Sequence, residues 1–191
     1  MRVITGTARG RRLKELPGMD TRPTTDKVKE AIFNIVQFDV EGRRVLDLFG
    51  GTGQLGIEAL SRGADRCVFV DAGREPVKII RENLEMTGFA DRGRVVQGDA
   101  LSFLTSCREK FGLAFLDPPY ASDLLEQALK RMAEIDIMNE NGIIVCESAL
   151  EKALPQLSSP YEKGREYRYG RIKLTIYHRR PSDERKRMSG E

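Results

Sequence analysis

The chain is poor in the side chains that most often build metal sites and covalent catalysts, with one histidine and three cysteines in 191 residues. His178 follows Thr175-Ile176-Tyr177 near the end of a strand-like run, and no cysteine or second histidine is placed to help it as a ligand or catalyst. Cys67, Cys107 and Cys146 are odd in number and far apart, which excludes a zinc spacing and a disulfide framework. Cys67 and Cys146 fall inside apolar runs and read as small core residues in a reducing compartment. Long apolar runs are missing as well. Nothing approaches the roughly 20 residues that span a bilayer, and the basic N-terminus has no apolar signal core. The expectation is a cytoplasmic protein with no membrane and no metal attachment.

What is present describes one soluble globular domain, 40% hydrophobic and 32% charged, large enough to bury a core. The net charge of +3 hides a strong asymmetry. Residues 1–44 carry 10 basic against 6 acidic side chains, residues 45–160 carry 12 against 18, and residues 161–191 carry 10 against 5. An acidic middle flanked by basic ends suggests that the ends meet a polyanion.

Along the chain, residues 1–22 read as a basic arm, extended or folded as a β-hairpin, with no apolar face of its own. After Pro23, Thr24 or Thr25 can cap a helix whose first turn holds Asp26, and Val28, Ala31, Ile32, Ile35 and Val36 form its apolar face. From Arg43 onward strand and helix patterns alternate. Strands are expected at Val45–Leu48, Cys67–Asp71, Val95-Val96, Leu113–Leu116 and Ile143–Cys146, with helices through Ile57–Ser61, Glu75–Met86, Leu101–Cys107 and Leu124–Ile135. Such alternation with short links means a parallel sheet covered on both faces. The stretch Tyr167–Tyr177 alternates polar and apolar around Gly170 and reads as an antiparallel hairpin closing the sheet. Residues 23–180 would form the main domain, and residues 181–191 a polar, disordered tail.

Two motifs carry chemistry. Asp47-Leu48-Phe49-Gly50-Gly51-Thr52-Gly53-Gln54-Leu55-Gly56 joins the first strand to its helix, where glycines let backbone approach a ligand at a helix N-terminus. Gly51, Gly53 and Gly56 satisfy G-x-G-x-x-G, and Asp71 stands 20 residues after Gly51, so an NAD-binding oxidoreductase is a rival on this motif alone. Asp47 weighs against it, because its charge opposes a pyrophosphate and suits an ammonium. The second motif is Asp117-Pro118-Pro119-Tyr120 at the end of the apolar run Leu113-Ala114-Phe115-Leu116. Prolines carry no N–H, so nearby carbonyls stay available to accept, Asp117 adds a carboxylate, and Tyr120 offers a flat face. That pocket suits a planar group bearing an –NH2, such as a nucleobase. Gly98-Asp99-Ala100 adds a carboxylate where an adenine edge would lie, although Asp99 is also a natural helix N-cap.

In this order the motifs resemble the class I methyltransferases that modify exocyclic amines. The segment Arg22-Pro23-Thr24-Thr25-Asp26-Lys27-Val28-Lys29-Glu30, preceded by Gly10-Arg11-Arg12-Leu13, is more particular. It resembles the bacterial RsmD-type methyltransferases, which modify a guanine N2 amine of 16S ribosomal RNA. The resemblance covers residues 2–178 and departs at Asp71, where many relatives carry Glu. It implies a Rossmann-like α/β fold: a mostly parallel seven-stranded sheet with helices on both faces, a C-terminal antiparallel hairpin and a short N-terminal extension. It implies S-adenosylmethionine as cofactor, held by Asp47, Phe49, Gly51, Gly53, Asp71, Asp99 and Ala100. Asp117, Pro118 and Tyr120 are then catalytic, and Arg9, Arg11, Arg12, Lys14, Arg22, Arg168 and Arg171, with Lys173 beside them, meet the RNA. The implied partner of this monomer is 16S rRNA, within a small subunit or its assembly intermediate. A DNA adenine-N6 methyltransferase would share the pocket but usually needs a recognition insertion for which this chain has no room. A protein-glutamine methyltransferase would more often carry Asn at position 117. A non-catalytic RNA-binding module would not need both motifs intact.

Overall fold

Each apolar run in the middle of the chain becomes a strand of one sheet in the computed structural model, which describes residues 1–18 and 25–182. Arg22, Pro23 and Thr24 lie outside the described residues, as does residue 183 onward of the expected tail. The strands are β1 (Arg44–Asp47), β2 (Arg66–Asp71), β3 (Gly93–Gln97), β4 (Phe111–Leu116), β5 (Met138–Ala149), β6 (Tyr161–Tyr169) and β7 (Ile172–Arg179). Their order across the seven-stranded sheet is β3-β2-β1-β4-β5-β7-β6, with β1 to β5 parallel and β7 antiparallel to both of its neighbours. The expected sheet is thus formed, closed by a hairpin that turns at Gly170 with φ +59°. β6 starts earlier than its apolar residues suggest because pairing with β7 extends it through polar positions, whereas β5 begins at Met138 opposite Phe111 of β4 and pairing with β7 carries it past Cys146 to Ala149.

Helix α1 (Asp26–Ile35) is capped by Thr25, whose side chain accepts from the Val28 N–H at 3.3 Å. Next come α2 (Gln54–Ser61), α3 (Arg74–Thr87), α4 (Ala100–Ser106) and α5 (Leu124–Glu134). Gly88 ends α3 in the left-handed conformation that glycine adopts without steric cost. One core cluster packs α1, α2 and α3 on the sheet face carrying Val45, Phe69, Phe115 and Val145. The other packs α4 and α5 on the face carrying Leu46, Val70, Leu116 and Cys146. Cys67 and Cys146 are buried strand residues, as their apolar surroundings indicate.

The N-terminal arm takes the hairpin form of the two expected and departs from expectation only in what it buries. It is a narrow hairpin, bridged at Arg2 and Arg12, and it does have an apolar face: Val3, Ala8 and Leu13 are buried in the first core cluster. Polar contacts fasten it to α2. Both Glu58 oxygens accept backbone N–H groups, from Ile4 at 2.8 Å and Thr5 at 2.9 Å. Ser61 accepts the Ala8 N–H at its Oγ (3.0 Å), while its carbonyl accepts the Thr7 N–H (2.9 Å). Gly6 lies so close that a Cβ on it would sit 1.8 Å from the Ser61 carbonyl oxygen. Lys29, fully buried on α1, donates to the Arg2 carbonyl at 2.5 Å and lies 3.7 Å from Glu58.

Candidate active site

Strand order creates the site. From β1 the chain winds one way to β2 and β3, then crosses over to β4 on the other side, which makes the β1/β4 boundary a topological switch point. Ligands of open α/β sheets bind outside the carboxyl ends of the strands at such a point. Parallel register places Asp47 beside Phe69 and Phe115, so Asp47, Asp71 and Asp117 share this edge.

The glycine loop leaves β1 here. Gly51 and Gly53 have φ +57° and +79°, in the region that other residues rarely adopt, and Gly53 serves as the α2 N-cap. Gly56 lets α2 lie against β2: a Cβ there would stand 2.3 Å from the Phe69 ring and 2.6 Å from the Cys67 sulfur. Asp71 receives the Gly51 N–H at 2.9 Å and the Gly73 N–H at 2.8 Å, which fixes its carboxylate against the loop. Asp47 is 2% exposed, and its Oδ2 accepts the Gly56 N–H at 3.0 Å. The partner expected for Asp47 is the cofactor's ammonium; within the chain, Asp47 is bonded to the first turn of α2, beneath the loop. Burial pushes its pKa up to about 7, against the lowering effect of the Gly56 hydrogen bond and with a smaller push from Asp71. Phe49 is partly buried against the second core cluster. Asp99 caps α4, its Oδ2 accepting the Ser102 N–H at 2.9 Å, and Ala100 is buried behind it.

Backbone and one polar atom are open to a ligand at this edge. A Cβ on Gly51 or Gly98 would meet no atom within 4 Å, so both glycines present bare backbone to open space at the edge. Gln54 Oε1, at the start of α2, is buried and accepts no hydrogen bond among the described residues, which leaves an acceptor beside the loop.

The segment Asp117-Pro118-Pro119-Tyr120 leaves β4 next to the loop, with Asp117 half-buried, Pro118 buried and Tyr120 39% exposed. The Tyr120 hydroxyl donates to Glu147 Oε1 at 2.6 Å. Glu147 is 4% exposed at the end of β5, one step beyond the Leu116–Cys146 pair and so alongside Asp117. Sequence reasoning missed it, because a single Glu after an apolar strand carries no motif. Asn83, Glu58 and Lys29 were missed for the same reason: each acts on backbone remote in sequence.

The basic residues are brought together only in part. The turn of β6–β7 puts Arg168 and Arg171, both exposed, at the level of Ser148 and Ala149, on the same edge as Asp117. Lys173 is buried, donates to the Lys152 carbonyl at 2.5 Å and lies 3.5 Å from Glu166, which corrects its placement among RNA contacts. Arg12 lines a cleft of about 750 Å³ with Met1, Arg2, Thr25 and Asp26. Arg9 follows the residues bound to Ser61, and Arg11 donates to the Met86 carbonyl at 3.4 Å, so both lie toward the far end of α2 and α3. The eight residues of α2 set that end about 12 Å from the loop. Lys14 is near the loop but ion-paired with Glu82 at 2.8 Å.

Known proteins resemble this arrangement throughout. The family model described as conserved hypothetical protein 95 matches residues 1–178. YlbH of Bacillus subtilis, named as a candidate rRNA methyltransferase, is 40% identical over 94% of this chain and 100% of its own length. The ribosomal RNA small subunit methyltransferase D of Escherichia coli K12 is 33% identical over 96% of this chain and 92% of its own. A solved structure of the candidate methyltransferase yhhF of Escherichia coli superposes with a TM-score of 0.85, at 33% identity, covering 95% of this chain and 99% of that one.

Proposed function

The chain belongs to the conserved hypothetical protein 95 family, and from that premise we propose that it methylates the exocyclic N2 amine of a guanine in 16S ribosomal RNA, using S-adenosylmethionine. The observation that carries this reading is the in-register β1/β4 pairing, which sets the amine-accepting Asp117-Pro118 segment directly beside the glycine loop. The methyltransferase names of the relatives point the same way.

Gly51 and Gly53 would let the cofactor approach the loop backbone, Asp71 would take its ribose hydroxyls, and Asp99 and Ala100 would border its adenine with Phe49. Asp47 serves by holding the loop to α2. When bound, the cofactor supplies an electrophilic methyl group on a sulfonium. The guanine amine is a poor nucleophile because its lone pair is delocalised into the ring. Asp117 and the Pro118 carbonyl accept from its two N–H bonds, which favours a pyramidal nitrogen with its lone pair aimed outward. That arrangement is fully realised only in the transition state, as catalysis requires. Tyr120, steadied by Glu147, stacks on the base and supplies orientation. Asp117 is placed to receive the proton the nitrogen loses.

A paired base cannot enter such a pocket, so the target is unpaired or flipped, at a cost of a few kcal/mol. Arg12, Arg168 and Arg171 offset that cost through phosphate contacts near the edge, and Arg9 and Arg11 extend them along the arm. The enzyme acts as a monomer in the cytoplasm, on the small subunit or its assembly intermediate. Thermal shifts are expected with S-adenosylhomocysteine and none with NAD; a shift with NAD alone overturns the reading. Asp117→Ala should lower turnover on rRNA by roughly 10²–10³-fold while S-adenosylhomocysteine still binds. Near-parent turnover would remove Asp117 from the chemistry.

A further inference from the structure

Among the described residues Asp71, Asp47 and Asn83 bond the backbone of the glycine loop through their side chains, and the two aspartates tie it inward to strand ends. Asn83 is fully buried on α3, and its amide faces two ways. Its Nδ2 donates to the carbonyl of Thr52 at 2.9 Å, and Thr52 is the residue between Gly51 and Gly53. The same side chain pairs with the backbone of arm residue Lys14, accepting its N–H on Oδ1 at 2.7 Å and donating from Nδ2 to its carbonyl at 3.1 Å. Asn83 therefore bonds to Lys14 as a strand neighbour would, and to the loop through its second N–H. A smaller contact repeats the link, with Thr52 Oγ1 lying 3.4 Å from the Met1 sulfur.

We propose that Asn83 is a positioning residue that makes the basic arm and the cofactor loop one unit, so that filling the loop tightens the arm that meets the RNA. The inference rests on the function proposed above. Its physical basis is that a buried amide can satisfy both backbones only while both keep their places. A loop stiffened by ligand holds the Thr52 carbonyl, the carbonyl holds Asn83, and Asn83 holds Lys14. Linkage makes the effect reciprocal: an arm held by RNA favours the cofactor-ready loop. Asparagine is required because aspartate cannot donate to the two carbonyls and leucine can do neither task. The contact is to the Lys14 backbone, so the charge of that side chain is not part of the device.

The test is backbone hydrogen exchange of the full chain, followed in peptides covering residues 10–18, with and without S-adenosylhomocysteine. In the parent, ligand should slow arm exchange severalfold, although the proposed cofactor residues do not include the arm. Asn83→Asp and Asn83→Ala should lose that response and bind the ligand about tenfold more weakly, within the usual range of coupling between sites. A variant with Arg9, Arg11, Arg12 and Lys14 changed to Gln should keep both the response and the affinity. If the parent binds ligand and its arm exchange does not change, the coupling is refuted, and that result stands even if a variant fails to fold. A parent that binds no S-adenosylhomocysteine refutes the methyltransferase reading itself.

Discussion

At the scale of single residues, the acidic groups of the site divide into those proposed to meet a ligand and those that hold the chain in place. Asp47 belongs to the second kind, and its buried carboxyl has a measurable consequence. Its pKa is about 7 in the folded protein against an ordinary 3.8, so between these values the folded state keeps a proton that the unfolded state has released. Stability linked to this group is therefore highest below about pH 4 and falls as pH rises toward about 7. Asp47→Asn should remove that fall, because an amide oxygen still accepts the Gly56 N–H and no charge has to be buried. Urea unfolding at pH 5 and pH 8 checks it: the variant should gain on the parent at the higher pH, and equal slopes would mean that Asp47 stays ionised when folded. Asp71 and Asp99 were legible in the sequence because each ends a strand or opens a helix at motif spacing. Glu147 was not, since its meaning depends on Tyr120, which reaches it only after β4 and β5 pair.

At the scale of elements, helical spacing located α1, polar–apolar alternation located the β6–β7 hairpin, and apolar runs broken by short links located the other strands and helices, because each pattern records burial. The arm escaped this reading. Its docking relies on backbone N–H groups meeting Glu58 and Ser61, more than 50 residues away in sequence, and on three separated apolar side chains that form no run. Gly6 and Gly10 offer an internal comparison, since both have positive φ, +90° and +82°. A Cβ on Gly10 meets nothing within 4 Å, whereas one on Gly6 collides with Ser61. Gly10→Ala should thus cost only the backbone strain of about 1 kcal/mol. Gly6→Ala should cost roughly 2–3 kcal/mol, as the arm must also move off α2. Thermal unfolding of the two variants measures the difference, and equal losses would show that the close approach at Ser61 contributes nothing.

At the scale of the whole molecule, the uneven charge acquires a shape. The acidic middle becomes the sheet and its helices, while the arm and the β6–β7 turn carry the excess of positive charge on its flanks. Neutralising Arg12, Arg168 and Arg171 should flatten the salt dependence of RNA binding by roughly 0.7–0.9 in slope for each phosphate that no longer meets a cation. Neutralising Arg9 and Arg11 should flatten it too, with less effect on turnover, since these two lie away from the site edge. Filter binding across a salt series reads the slope, and an unchanged slope in both variants would reduce the arm and turn to solvated surface.

The burial of Lys29 under the arm has a practical consequence. Its ammonium is sealed between Glu58 and the Arg2 carbonyl, and burial lowers its pKa despite the neighbouring carboxylate. An amine-reactive label added to the native protein should therefore modify exposed lysines such as Lys27 quickly and leave Lys29 untouched. Once the arm lifts, the same amine meets solvent and becomes available to the reagent. The extent of labelling at this one position is thus a built-in clock for arm opening, readable by peptide mass in a mixture as crowded as a cell extract.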